Sequence, residues 1–184
     1  MTGREKADGY TRDAFIGLTP NEKDIVLQKL TSELPWSAEW LFFVDKQKAL
    51  AIAKEKEQSL RGNPYQDVFR IQQQLVKYSG DLLYQKHMIE DYPKYIDELK
   101  PLVIDAVDDT PVSDESIEFF KQVILLEANI DAVASASVHL LRALNVPRNT
   151  DEERVTFKRL LDDLRSEDPR SKRRGMAEVE TYND

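Results

Sequence analysis

The sequence contains no cysteine, and this absence excludes disulfide bonds, thiolate-bound zinc, iron–sulfur clusters and a cysteine nucleophile. Histidine is almost as scarce. His87 and His139 are the only two in 184 residues, which leaves little material for acid–base chemistry near neutral pH or for transition-metal binding. Glycine-rich phosphate-binding motifs, the GxSxG nucleophile motif and the HExxH metal motif are missing as well. The sequence therefore does not predict an enzyme of these motif-bearing classes.

Long apolar runs are also missing. A hydrophobic share of 41% is enough for one sizeable core, whereas a charged share of 33% is too high for a membrane protein. Residues 123–144 are weakly charged and long enough to span a bilayer, but four polar or charged side chains interrupt them: Glu127, Asp131, His139 and Arg142. The first ten residues mix both charges without an apolar run, unlike a secretory signal. We therefore expect a soluble, intracellular protein of the cytoplasm with no membrane contact.

Helix signals dominate the rest of the chain. Prolines lie between segments whose apolar residues recur every three or four positions, and Thr19, Ser113 and Thr150 precede such segments as helix caps. We predict an all-α, single-domain bundle, or stacked helical hairpins, of about six helices. Its long central helices, B, C and E, are expected at residues 38–61, from Pro64 past Glu90, and from Ser113 to Leu144. Residues 1–18 are expected to form a partly ordered arm, residues 19–166 the helical domain, and residues 167–184 a charged, mobile tail.

The net charge of −8 is concentrated in one segment. Between residues 86 and 131 the sequence has twelve acidic and four basic side chains, which accounts for the whole excess, and residues 101–120 include six acids and no base. Asp105, Asp108 and Asp109 crowd the predicted end of a helix, where the helix dipole disfavours negative charge. Two interpretations remain open: a solvated corner that aids solubility, or a surface that docks a basic partner.

Tyrosines beside this acidic segment favour the docking interpretation, because a tyrosine ring is apolar while its hydroxyl stays hydrogen-bonded. The predicted partner-binding residues are Tyr84, Tyr92, Tyr95, Asp105, Asp108, Asp109, Asp114, Glu115 and Glu118. The basic run at residues 170–174 lacks aromatic neighbours and a basic folded face, so nucleic-acid binding is not predicted.

A second hypothesis is a metal-dependent enzyme. Glu127, Asp131 and His139 are spaced along one side of predicted helix E, and His87 and Glu90 share a side of helix C. If the two sides face each other, they would form a carboxylate–histidine metal site. Interhelical hydrogen bonding that supports packing explains the same residues.

The sequence thus favours a non-enzymatic protein-binding module that engages a basic protein surface, as an inhibitor, an immunity-type protein or an assembly subunit would. No cofactor is predicted, and the oligomeric state is left open. A third hypothesis is a regulatory subunit whose basic run recruits acidic partners.

Overall fold

The computed structural model describes residues 9–182, and every regular element in this part of the chain is a helix. The prediction of an all-α protein is confirmed. None of the described helices is both long and apolar enough to cross a membrane. Contacts divide the chain into two compact units, Met1–Tyr95 and Ile96–Asp184, and the boundary lies inside the range 19–166 that was predicted as one domain.

The first unit packs around its fourth helix. Its helices are α1 (Pro20–Ser32), α2 (Ala38–Val44), α3 (Lys46–Leu60), α4 (Val68–Ser79) and α5 (Leu83–Asp91), with short 3-10 turns at Arg12–Phe15 and Tyr92–Lys94. Helix α4 contacts α2, α3 and α5, and its Ile71 and Leu75 are fully buried beside Leu41 and Phe42 of α2. The long apolar side of α4 therefore forms the centre of this core.

The second unit packs around α8. Its helices are α6 (Lys100–Asp108), α7 (Asp114–Leu126), α8 (Ile130–Ala143), α9 (Asp151–Arg165) and α10 (Pro169–Glu180). Helix α8 contacts α6, α7 and α9, and its small residues Ala132, Ala136 and Ser137 are buried together with Leu140 and Leu141. Small side chains let the neighbouring helices approach α8 closely.

The number and length of the helices differ from the prediction, because each predicted long helix is interrupted and the described residues hold ten α-helices rather than about six. Predicted helix B breaks at Asp45, whose Oδ1 accepts hydrogen bonds from the backbone of Gln47 and Lys48. Helix C begins only at Val68 and breaks at Gly80, which takes the left-handed conformation at φ 73°. Predicted helix E breaks between α7 and α8. In all three places a capping side chain or a glycine lets the terminal backbone N–H and C=O groups of the helix form hydrogen bonds nearby in the chain.

The predicted caps at the other helix starts are confirmed. Thr19 with Glu22 and Thr150 with Glu153 form capping boxes at α1 and α9, and Ser113 caps α7. These signals act within three residues, so the sequence displays them directly.

The described parts of the two terminal segments both contribute to packing. Residues 1–8 of the predicted arm lie outside the described residues, but Phe15 is buried and its ring lies 5.5 Å from that of Trp40. Within residues 167–184, which were predicted as a mobile tail, Pro169–Glu180 forms α10, which packs on α9 and buries Met176 and Val179. Two buried apolar residues are too few to produce a recognisable helical pattern in the sequence. Ion pairs also join the two helices, such as that of Arg174 with Asp163 at 2.5 Å.

Gly175 lies on the buried side of α10, close to α9. A Cβ at this position would lie 2.8 Å from Cβ of Asp163. Replacing a helical glycine by alanine normally stabilises a helix by about 1 kcal/mol. Here Gly175→Ala is expected to lower the thermal midpoint, because overpacking costs about 1–3 kcal/mol.

Circular dichroism at 222 nm measures this change, and Ala177→Gly on the exposed side of α10 serves as the control for helix propensity. A higher midpoint for Gly175→Ala would contradict the close packing of α10 on α9.

Candidate protein-binding site

The three tyrosines predicted for the binding surface are core residues of the first unit. Tyr84, Tyr92 and Tyr95 are all buried, and the ring of Tyr95 makes an edge contact with Phe69 at 5.8 Å. Burial also raises the pKa of Tyr95. These side chains do not contribute to an exposed surface, because tertiary packing in the first unit covers them.

The first-unit residues of the metal hypothesis have protein partners. Nδ1 of His87 lies 2.8 Å from Oε1 of Glu57, which is buried and also accepts a hydrogen bond of 2.9 Å from Gln72. Glu90 forms an ion pair with Arg61. This arrangement satisfies a buried carboxylate, as a packing role requires.

The remaining residues of that hypothesis lie in the second unit. Glu127 accepts hydrogen bonds from the backbone of Ala128 and Asn129 and pairs with Lys100 at 3.1 Å, while Asp131 is exposed in the first turn of α8. Among residues 9–182, no three histidine or acidic side chains are grouped so that they could hold a metal ion. The geometry therefore gives the metal-dependent enzyme no support.

His139 pairs with two of the three aspartates that crowd the end of α6, Asp105 and Asp108. Its Nε2 lies 2.8 Å from Oδ1 of Asp105, which also accepts a 2.5 Å hydrogen bond from Ser135. Oδ2 of Asp108 lies 2.8 Å from Nδ1 of His139, without the geometry of a hydrogen bond, and 4.0 Å from Arg142. The end of α6 thus places two carboxylates on either side of one imidazole of α8.

The pKa values of the two carboxylates shift in opposite directions. The hydrogen bond from His139 lowers the pKa of Asp105, and Ser135 adds to the effect. Burial raises the pKa of Asp108, although His139 and Arg142 act in the opposite direction. Asp105 is therefore favoured as a carboxylate in the folded protein, while ionised Asp108 opposes folding.

The other predicted acids share an exposed surface. Asp114, Glu115 and Glu118 are exposed on one side of α7, since they are one and four residues apart, and exposed Asp109 precedes them in the turn. We call these four residues the acidic corner. Phe119, Phe120, Val123 and Ile124 bury the opposite side of α7. The only lysine of the helix, Lys121, is largely buried and pairs with Glu180 at 3.3 Å.

An apolar patch continues the exposed side of α7 toward its end. Leu125 is 46% exposed, Leu126 82%, and Ile130 at the start of α8 75%. We call these three residues the apolar patch. On predicted helix E, apolar residues spaced three and four apart include Leu126 and Ile130, and this spacing predicts that both are buried along one side of a long helix. That prediction is wrong, because the break between α7 and α8 turns both side chains outward.

Asn129 was the sequence signal for this break. Its Oδ1 accepts the backbone N–H of Ala132 as the N-cap of α8, and its Nδ2 donates to the carbonyl of Asp97 at 2.8 Å. Asparagine is among the best N-cap residues, so its position within an apolar run indicates a helix start.

Comparison of the chain with protein-family models, curated proteins and solved structures gives no match.

The two aspartates beside His139 lead to opposite expectations for stability. The pKa of Asp105 is lower in the folded protein than in the unfolded chain. Ionised Asp105 therefore stabilises the fold at pH values above the pKa of the unfolded chain, and this contribution is lost as the pH falls through the lower, folded-state pKa. At pH 7, Asp105→Asn is expected to destabilise by at most about 1 kcal/mol, because the side chain is half-exposed and solvent screens it. Asp108→Asn is expected to leave stability unchanged or to increase it, since the raised pKa makes its charge unfavourable.

Thermal melts of both variants at pH 7 measure the two signs, and a pH series down to about 3 should show the deficit of Asp105→Asn shrinking. Equal shifts of both variants in one direction would contradict the assignment.

Proposed function

We propose that this protein is a non-enzymatic binding module that uses the exposed side of α7 to engage a basic protein partner. The observation that carries this proposal is the exposed side itself, which is acidic at its beginning and apolar at its end. The two parts are defined above as the acidic corner and the apolar patch, and about 17 Å of helix separates Glu115 from Leu126.

The charge distribution supports a basic partner. Asp105 and Asp108 pair with His139 inside the second unit, whereas the acidic corner presents its carboxylates on an exposed surface. Carboxylates clustered on one surface attract positive charge over a long range and raise association rates. They also make the interaction sensitive to salt.

The apolar patch supports a protein as the partner. Leu126 is 82% exposed, and Ile130, which follows it by four residues beyond the break between α7 and α8, is 75% exposed. Covering such side chains contributes about 1.5–3 kcal/mol each, and interfaces combine an apolar centre with a polar rim. A basic surface with an apolar pocket fits both parts of α7.

Three forms of this function are open to the same surface: an inhibitor, an immunity-type protein that blocks a basic toxin or nuclease, and a subunit of a larger assembly. The cytoplasmic location expected from the sequence belongs to the same proposal. Cell fractionation tests the location, and recovery in a membrane or extracellular fraction would contradict it.

The function is tested by photo-cross-linking from position 122, which lies between the acidic corner and the apolar patch, with the exposed position 155 of α9 as the control. The partner captured from 122 is then purified and its affinity measured for variants. Glu115→Lys with Glu118→Lys is expected to weaken binding about tenfold or more at low salt, and the effect should shrink at high salt. Leu126→Ser is expected to weaken binding at every salt concentration, because its contribution is burial.

A matched control reverses two exposed acids of α9, Glu152→Lys with Asp162→Lys, which changes the net charge by the same amount. The proposal is wrong if the control weakens binding as much as the α7 variant, or if position 122 captures nothing beyond position 155.

A further inference from the structure

The first unit contains a cleft that the binding function does not use. Its volume is about 290 Å³, and it lies at the start of α2 beside α4. Three aromatic side chains and three polar ones supply most of its lining: Tyr10, Trp36, Trp40, Glu39, Arg70 and Gln74. This volume is close to the lower end of the range for ligand pockets, about 300–1,000 Å³, so the cleft suits a small ligand.

Arg70 has a fixed orientation in the cleft. Its Nε donates a 3.0 Å hydrogen bond to buried Asp67, and the guanidinium carbon lies 4.8 Å from the centroid of the Trp36 ring. A guanidinium has five N–H donors, and Asp67 takes one of them at Nε. An arginine held in this way is preorganised to bind a carboxylate through its planar fork.

Gln74, in contrast to Arg70, offers a hydrogen-bond acceptor to the cleft. The side chain is only 7% exposed, and its buried Oε1 accepts no hydrogen bond from any residue that the structure describes. A buried carbonyl without a donor is unfavourable, so a ligand N–H at this position would gain a hydrogen bond that the free protein lacks. Exposed Glu39 adds a negative charge to the same cleft.

The charges therefore favour a zwitterion over a simple anion. Asp67 and Glu39 outnumber Arg70, so a ligand with only negative charge is repelled overall, whereas an ammonium group beside a carboxylate balances the site. The aromatic walls favour an apolar group on the same molecule. We propose that this cleft binds a free α-amino acid with an apolar side chain. Arg70 binds its carboxylate, Gln74 and Glu39 bind its ammonium group, and Trp36, Trp40 and Tyr10 pack against its side chain.

The test uses intrinsic fluorescence, because the chain has two tryptophans and both line the cleft. The full chain is titrated with L-leucine and L-phenylalanine, which do not fluoresce when tryptophan is excited selectively. Saturable changes are expected for at least one of them. N-acetyl-leucine lacks the ammonium group and leucinamide lacks the carboxylate, so each is expected to bind about tenfold or more weakly than leucine.

Variants test which residue binds the carboxylate of the ligand and which binds its ammonium group. Arg70→Lys keeps the charge but loses the planar fork, and it is expected to weaken leucine binding about tenfold. Glu39→Gln changes an exposed side chain, so the fold is retained, and a loss of about two- to fivefold is expected. Glu55→Gln, an exposed acid of α3 outside the cleft, is the matched control and should bind like the unaltered protein.

The outcomes separate this proposal from the function of α7. The variant Glu115→Lys with Glu118→Lys is expected to bind leucine normally, whether or not α7 binds a protein. The absence of a saturable signal with both amino acids would overturn the proposal. Equal binding of leucine and its two blocked analogues would also overturn it, because recognition would then not involve the zwitterion.

Discussion

A helix can end within an apolar stretch only where its terminal N–H and C=O groups find other partners. In this protein Asp45, Gly80 and Asn129 meet that requirement at three points, and the short helices of both units follow from them. Each break also changes the direction of the side chains beyond it. The core around α4 and the core around α8 thus depend on a few local backbone hydrogen bonds, and so does the exposure of the apolar patch.

Buried acids in both units are stabilised by named partners. Glu57 contacts His87 and Gln72, Asp91 pairs with Arg61 and Lys94, and Asp163 pairs with Arg159 and Arg174. Removing one member of such a pair leaves an uncompensated charge, which is more costly than losing the pair as a whole. The net charge of −8 therefore combines acids that serve the fold with acids on the surface, and only the second group can define binding.

The sequence predicted those features whose causes lie within a few residues. The caps at Thr19, Ser113 and Thr150 are of this kind, and so is the helical fold class. The reason for Asp105 and Asp108 lies in His139, more than thirty residues away, and no local pattern displays it. Burial of Tyr84, Tyr92 and Tyr95 is likewise a property of packing. In the candidate site, the acidic corner could be predicted from composition, but the apolar patch depends on a helix break that the apolar periodicity concealed.

The distribution of aromatic residues gives the two units different optical properties. Both tryptophans and six of the seven tyrosines belong to the unit Met1–Tyr95, whereas Tyr182 is the only such residue of Ile96–Asp184. Tryptophan emission during denaturation consequently follows the first unit alone, while far-ultraviolet circular dichroism follows the helices of both. Coincidence of the two transitions would identify a single cooperative equilibrium, and separation would measure the stability of each unit within the intact chain.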